Sequence, residues 1–172
     1  MNRISGLIGK LFYYYPDKLL NKLGHMYYLS QIEGKIDTLH LKGRMRIQWP
    51  SRLVVGDNCC INDGCLMQCQ GGVTLGDSVT ISTGAIVLLR QYRMSDWYEQ
   101  CFKDEPEMDH EEKQVFLNDH TWIGAGAIIL PGVQIRGKGV VVAAGTIVTK
   151  NIDEDYVLVA GSPMCIVKKY SS

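Results

Sequence analysis

The chain has no excess charge of either sign: 18 Lys and Arg stand against 18 Asp and Glu in 172 residues. A nucleic-acid partner held by bulk charge is therefore not expected. Nor is there an apolar run near the roughly 18 residues that a membrane span requires. Residues 1–15 carry Arg3 and Lys10 but only short apolar stretches and no small-residue cleavage site, so no secretory signal is read there. These absences predict a cytoplasmic protein. Proline is scarce at 5 while glycine reaches 18, a balance that suits many tight corners. Histidine is almost missing: there are 4, and none lies between residues 41 and 109. That scarcity narrows any imidazole chemistry to a few positions. Of the 6 cysteines, Cys59, Cys60, Cys65 and Cys69 lie close together, but no two C-x2-C pairs face each other. The spacing fits small buried side chains better than a metal or disulfide framework, and no metal is expected.

What the chain does have is a six-residue beat. It runs Val55-Gly56-Asp57-Asn58-Cys59-Cys60, then Ile61-Asn62-Asp63-Gly64-Cys65-Leu66. It restarts at Leu75 and Ile81, breaks, and returns at Leu117, Ile123, Ile129 and Ile135. Each unit opens on an aliphatic residue and mostly carries a small one four places later. Period six fits neither a helix nor a simple strand. It fits a parallel β-helix of three short strands per coil, about eighteen residues per turn. The fold class predicted is mainly β: about five coils, with N-terminal α-helices and an inserted loop.

Residues 1–34 break with this pattern. Leu7, Ile8, Leu11, Phe12 and Tyr15 recur at helical spacing, as do Leu19, Leu20, Leu23, Met26 and Tyr27, with Pro16 between the two sets. Two short amphipathic helices are predicted, Asp17 capping one and Gly24 or Gly34 ending one. They would cover the open end of the coil stack. A second reading is a peripheral membrane contact through Tyr13, Tyr14, Tyr15, Lys10, Lys18 and Lys22, which would put the protein at the inner face of the membrane. Residues 35–168 are read as the repeat domain and residues 169–172 as a tail. Within the domain, residues 91–114 interrupt the beat with Trp97, Tyr98, Phe102 and an acidic run, and are read as a loop on the binding face. The beat slips by one residue near Ile135–Gly139, which predicts a wider corner. Residues 153–172 are read as leaving the stack through Gly161-Ser162-Pro163.

The order Trp122-Ile123-Gly124, Pro131-Gly132-Val133, Ala144-Gly145-Thr146-Ile147-Val148-Thr149-Lys150 and Gly161-Ser162-Pro163 resembles the hexapeptide-repeat acyltransferases. Its branch is similar to the sugar O-acetyltransferases of the galactoside, maltose and capsule, O-antigen or exopolysaccharide type. The resemblance covers residues 53–168. It implies a left-handed parallel β-helix, a homotrimer with sites between neighbouring prisms, acetyl-CoA as co-substrate and a sugar acceptor. Position by position it implies CoA contacts at Ala125, at Ala143 or Ala144, and at Thr149, Lys150 and Lys168, with Trp122 walling the groove. Independently, small residues let a pantetheine arm approach backbone, and lysines suit a phosphate.

The chemistry implied needs a histidine to deprotonate the acceptor hydroxyl. By count, Tyr92 stands where the family places that residue. His25 and His40 are read as structural. His110, flanked by Asp109 and Glu111, and His120 are the candidate bases. Asn62, Asp63 and Tyr92 are candidate acceptor contacts. Two alternatives stay open: a CoA-binding or scaffold homologue that has lost its base, and an amino-sugar N-acetyltransferase. A zinc carbonic anhydrase would need three imidazoles around the metal, and no such cluster shows in the sequence.

Overall fold

Each six-residue unit builds one short strand and one corner, because an aliphatic residue that turns inward every sixth place can be buried only if the chain folds back over itself. The computed structural model describes residues 15–103 and 109–171. The chain divides into two compact units, residues 1–31 and 32–172.

The described part of the first unit is helix α1 (Tyr15–Gln31), with Asp17 in its first turn and no buried residue. Pro16 falls within that first turn, where its missing N–H costs nothing. Gly24 lies inside the helix and does not end it. Leu19, Leu20, Leu23, Met26 and Tyr27 are exposed. The helix predicted over Leu7–Phe12 lies outside the described residues.

The second unit is the coil stack. Its first coil is β1 (Glu33–Gly34), β2 (His40–Leu41) and β3 (Arg46–Gln48); the second is β4 (Leu53–Val55), β5 (Cys60–Ile61) and β6 (Leu66–Gln68). The third is β7 (Val73–Leu75), β8 (Thr80–Ile81) and β9 (Ile86–Val87). The described residues of 91–114, namely 91–103 and 109–114, are not a plain loop. They form an antiparallel hairpin of β10 (Arg90–Tyr92) and β11 (His110–Glu112) with helix α2 (Met94–Gln100) between its strands. Coils then resume with β12 (Val115–Leu117), β13 (Trp122–Ile123) and β14 (Ile128–Ile129), followed by β15 (Gln134–Ile135), β16 (Val141–Val142) and β17 (Ile147–Val148). A sixth coil begins at Ile152, which bridges Ile135 in parallel, and continues in β18 (Val157–Gly161), against which β19 (Met164–Lys169) folds back antiparallel. Residues 153–161 thus stay in the stack, since Val157 and Val159 are fully buried, and the chain leaves only at β19. The repeat also begins two residues earlier than position 35, at β1.

Three parallel faces result. Face A stacks β1, β4, β7, β12 and β15; face B stacks β2, β5, β8, β13, β16 and β18; face C stacks β3, β6, β9, β14 and β17. Inward ladders fill the centre: Ile61, Ile81, Ile123 and Val142 on face B, and Met67, Val87, Ile129 and Val148 on face C, all fully buried. Cys59, Cys65 and Cys69 point inward at corners and are buried too. The slip is where the spacing placed it. Leu117 pairs with Ile135 but Trp122 with Val141, so the corner after β15 holds one more residue.

The edge between faces A and B is held by side-chain oxygens. Asp77 Oδ1 accepts the backbone N–H of Asp57 at 2.8 Å, and Asp119 Oδ1 that of Asp77 at 2.9 Å. Asn58, Ser78 and His120 occupy equivalent places one residue on, all at left-handed φ of 54–57°. Short polar residues tolerate that conformation best. Replacing Asp77 by alanine leaves the Asp57 N–H without its charged acceptor and is expected to lower stability by about 1–3 kcal/mol. Urea unfolding of Asp77→Ala beside Asp77→Asn reads this, the amide recovering most of the loss. An unchanged midpoint in the alanine variant would mean that water replaces the carboxylate.

Candidate functional site

Two features outside the core carry chemistry, and they sit on different edges of the prism. The first is the edge between faces B and C. There the corners Asn62–Cys65, Ser82–Ala85, Gly124–Ala127 and Ala143–Thr146 lie in register. Because Ile123 pairs with Val142, Ala144 and not Ala143 stands over Ala125, and the Gly145 N–H donates to the Ala125 carbonyl at 2.9 Å. Ala125 and Ala144 are both exposed. Gly126, at a φ of 65°, takes the left-handed corner that a side chain would strain, and a Cβ built there would meet nothing within 4 Å. Gly124 beside it is needed for close stacking, since its Cβ would lie 2.6 Å from the Ala144 nitrogen. The result is a strip of backbone bare enough for an extended chain to lie on. Trp122, 52% exposed on the outer side of β13, stands beside it and donates from Nε1 to Ser82 Oγ at 2.8 Å.

Asn62 and Asp63 occupy the same edge two coils lower. Their polar atoms serve the stack: Asn62 Nδ2 donates to the Ile81 carbonyl at 2.9 Å, and Asp63 Oδ1 accepts the Arg44 N–H at 2.6 Å. Thr149 and Lys150 follow β17 at the next edge, both exposed. Lys168 lies on β19, its Nζ 4.7 Å from the centre of the Tyr170 ring.

The second feature is the inserted hairpin, which leaves the stack at the edge between faces C and A. Its register sets Tyr92 opposite His110, Gln91 opposite Glu111 and Arg90 opposite Glu112. Glu111 Oε1 accepts from Gln91 Nε2 at 2.5 Å and from Lys113 Nζ at 2.9 Å, which locks that register. The hydrogen bonds from Lys113 and Gln91 hold the Glu111 carboxyl below its ordinary pKa. Glu111 is therefore tied to these two groups and not to the imidazole beside it in sequence. The half-buried His110 ring instead rests on Tyr92, with ring centres 4.3 Å apart and planes tilted by 36°. Trp97, from α2, meets Tyr92 at 5.8 Å and 47°. The spacing of the sequence did not single out Trp97 or Ser82 for the site. The antiparallel return of the chain that joins Tyr92, Trp97 and His110 has no periodic signature.

His120 is exposed at its corner, and its backbone N–H donates to the Asp77 carbonyl at 2.7 Å. The turn accounts for its conformation. Burial pushes the Cys69 thiol up to about 12 and raises those of Cys59 and Cys65 as well, so these three supply no thiolate near neutral pH. Among the described residues, no three His, Cys, Asp or Glu side chains are placed to hold a metal ion. No described helix is long and apolar enough to cross a membrane.

Residues 116–150 match the family described as hexapeptide repeat of succinyl-transferase. A stretch of 57 residues is 49% identical to galactoside O-acetyltransferase of Lactococcus lactis, covering 33% of this chain and 26% of that protein. The chain thus spans about a quarter of that relative's length. Among solved structures, the maltose O-acetyltransferase of Clostridium difficile superposes with a TM-score of 0.72 at 21% identity, over 91% of this chain and 88% of that one. A hexapeptide-repeat acetyltransferase of Vibrio cholerae complexed with acetyl coenzyme A also gives 0.72 at 21% identity, over 86% and 76%. The chain thus carries a hexapeptide-repeat segment over residues 116–150 and shares the coil fold of these acetyltransferase structures.

Proposed function

We propose that this protein transfers the acetyl group of acetyl-CoA to a sugar hydroxyl in the assembly of surface polysaccharide, at the cytoplasmic side. The observation that carries the reading is the bare strip along Ala125, Gly126, Ala144 and Gly145, walled by Trp122. A pantetheine arm would lie on it, its amides meeting corner backbone. Thr149, Lys150 and Lys168 are assigned to the phosphates. His110 is assigned as base: it takes the hydroxyl proton as the oxygen attacks the thioester carbonyl. The C–S bond then breaks and the CoA sulfur leaves with a proton. A general base of this kind contributes about 10²–10⁴-fold. Asn62, Asp63 and Tyr92 are assigned to the acceptor.

The two features lie on different edges, so a single chain does not close such a site. A homotrimer does, the hairpin of one copy meeting the strip of the next. The outer side of face C supports this. Leu66, Ile86, Ile128 and Ile147 stand in register there, pointing outward and only half-covered, where a solvated face would carry polar residues.

A thermal-shift titration with acetyl-CoA tests the reading, CoA serving as comparison. Ligand at a hundredfold excess over Kd adds about 2.7 kcal/mol, or roughly 5–10 °C for a domain of this size. No shift up to millimolar acetyl-CoA would overturn the reading and leave a scaffold on an enzyme's fold.

A further inference from the structure

Helix α1 turns its apolar side to water. Its half-covered residues include Asn21, Gly24, His25 and Tyr28, spaced three and four apart along its more polar side. Leu19, Leu20, Leu23, Met26 and Tyr27 are each more than half exposed. At about 100° per residue these side chains share an arc of about 120°, bordered on one flank by Lys22 and then Lys18. A helix that serves only to pack on protein buries the opposite side. The charge of the chain is sorted as well. Residues 1–31 hold Arg3, Lys10, Lys18 and Lys22 against a single acid, Asp17. The first coil, residues 32–52, holds Lys35, Lys42, Arg44, Arg46 and Arg52 against Glu33 and Asp37. Nine cations less three acids leave +6 on residues 1–52, and nine less fifteen leave −6 on residues 53–172. The zero net charge thus conceals a basic beginning. A nucleic acid would use these cations and leave the leucines in water. A second copy would bring its own α1 with the same lysines and the same lone acid, and none of the contacts proposed for the trimer involves α1. A bilayer surface with anionic headgroups uses both parts, hydrocarbon for the leucines and phosphate for the lysines.

We propose that α1 docks the protein on an anionic lipid surface. The helix lies in the plane of the headgroups, with Leu19, Leu23 and Met26 entering the acyl boundary and Tyr27 at headgroup level. It lies on the bilayer and does not cross it, since no described helix is long and apolar enough to span. Lys18 and Lys22 reach lipid phosphates from the flank while their stems cover apolar surface. The basic first coil follows Gln31 without a linker, because β1 begins at Glu33, and its attraction acts over roughly one Debye length. A trimer carries three such helices, so the docking of one raises the effective concentration of the others. This docking surface goes beyond acetyl transfer and does not depend on it.

The test sediments the full chain with sucrose-loaded vesicles of phosphatidylcholine mixed with phosphatidylglycerol, and with vesicles of phosphatidylcholine alone. Binding should be at least roughly tenfold tighter on the anionic vesicles and should weaken as salt rises. Leu19→Ser combined with Leu23→Ser should weaken it by about tenfold or more. Both side chains are exposed, so the melting temperature and the mass by light scattering should stay native. Lys18→Gln combined with Lys22→Gln should weaken binding to the anionic vesicles by roughly thirtyfold and leave the weaker binding to phosphatidylcholine unchanged. Native protein that does not sediment with the anionic vesicles overturns the proposal. So does binding that the serine pair leaves intact, or a duplex DNA bound as tightly as the vesicles, since either makes the surface one of charge alone. A serine pair that changes the mass also overturns it, because the leucines are then a contact between copies. The acetyl-CoA melting shift, which these substitutions should not move, decides the acetyl-transfer reading separately.

Discussion

Replacing His110 by alanine is expected to lower kcat for acetyl transfer by about 10²–10⁴-fold, the usual contribution of a positioned general base, while the melting shift with acetyl-CoA stays intact. We assign this role to His110 ahead of His120 on two observations. His110 is half-buried and its ring rests on Tyr92 at 4.3 Å, so the imidazole is held by a side chain as well as by its strand. His120 fills a left-handed corner in a column with Asn58 and Ser78. His120→Asn, which keeps a residue tolerant of that conformation, is expected to leave turnover and stability nearly unchanged. Steady-state kinetics of both variants decide the matter. A His110→Ala enzyme within threefold of the native rate, beside a collapsed His120→Asn, would hand the role to His120.

What was legible in the sequence is what repeats. The inward Ile61, Ile81 and Ile123 announce themselves at a fixed period because each must cover its neighbour, and all three are buried. Even the slip after Ile135 could be seen. Its consequence could not, because a one-residue offset leaves Ala143 and Ala144 equally plausible until strand pairing chooses Ala144. Elements that do not repeat were hidden. The stretch from Arg90 to Glu112 reads as an acidic loop. Its antiparallel pairing depends on a helix between the strands and on Glu111 being clamped by Gln91 and Lys113. His110 was drawn out of the sequence by its acidic neighbours. The structure supplies a different reason for its placement, since Glu111 is engaged elsewhere and Tyr92 is the partner. Strand β18 is hard to read because its run, Val157 to Gly161, follows a corner at 153–156 that has no glycine and turns at Tyr156 with a left-handed φ of 51°.

Ile128→Glu is expected to break the assembly and, with it, the activity. The side chain points outward from β14, in register with Ile86 below and Ile147 above, so the substitution leaves the buried Ile129 ladder alone. Circular dichroism should therefore remain that of a β-fold. At an interface between copies, however, each carboxylate would lose its water, at an effective cost of several kcal/mol per ion. One such ion per chain is introduced, and a symmetric assembly meets the cost at every interface. The mass by light scattering should fall from three times the 19.3 kDa of the chain to that of one chain. Acetyl transfer should fall below detection, because the hairpin and the bare strip then meet no partner. Val54→Glu, outward on the exposed side of face A, should leave both mass and activity unchanged. A native protein that runs as a single chain would remove the trimer from the reading. An intact trimer carrying Ile128→Glu would move the interface away from face C.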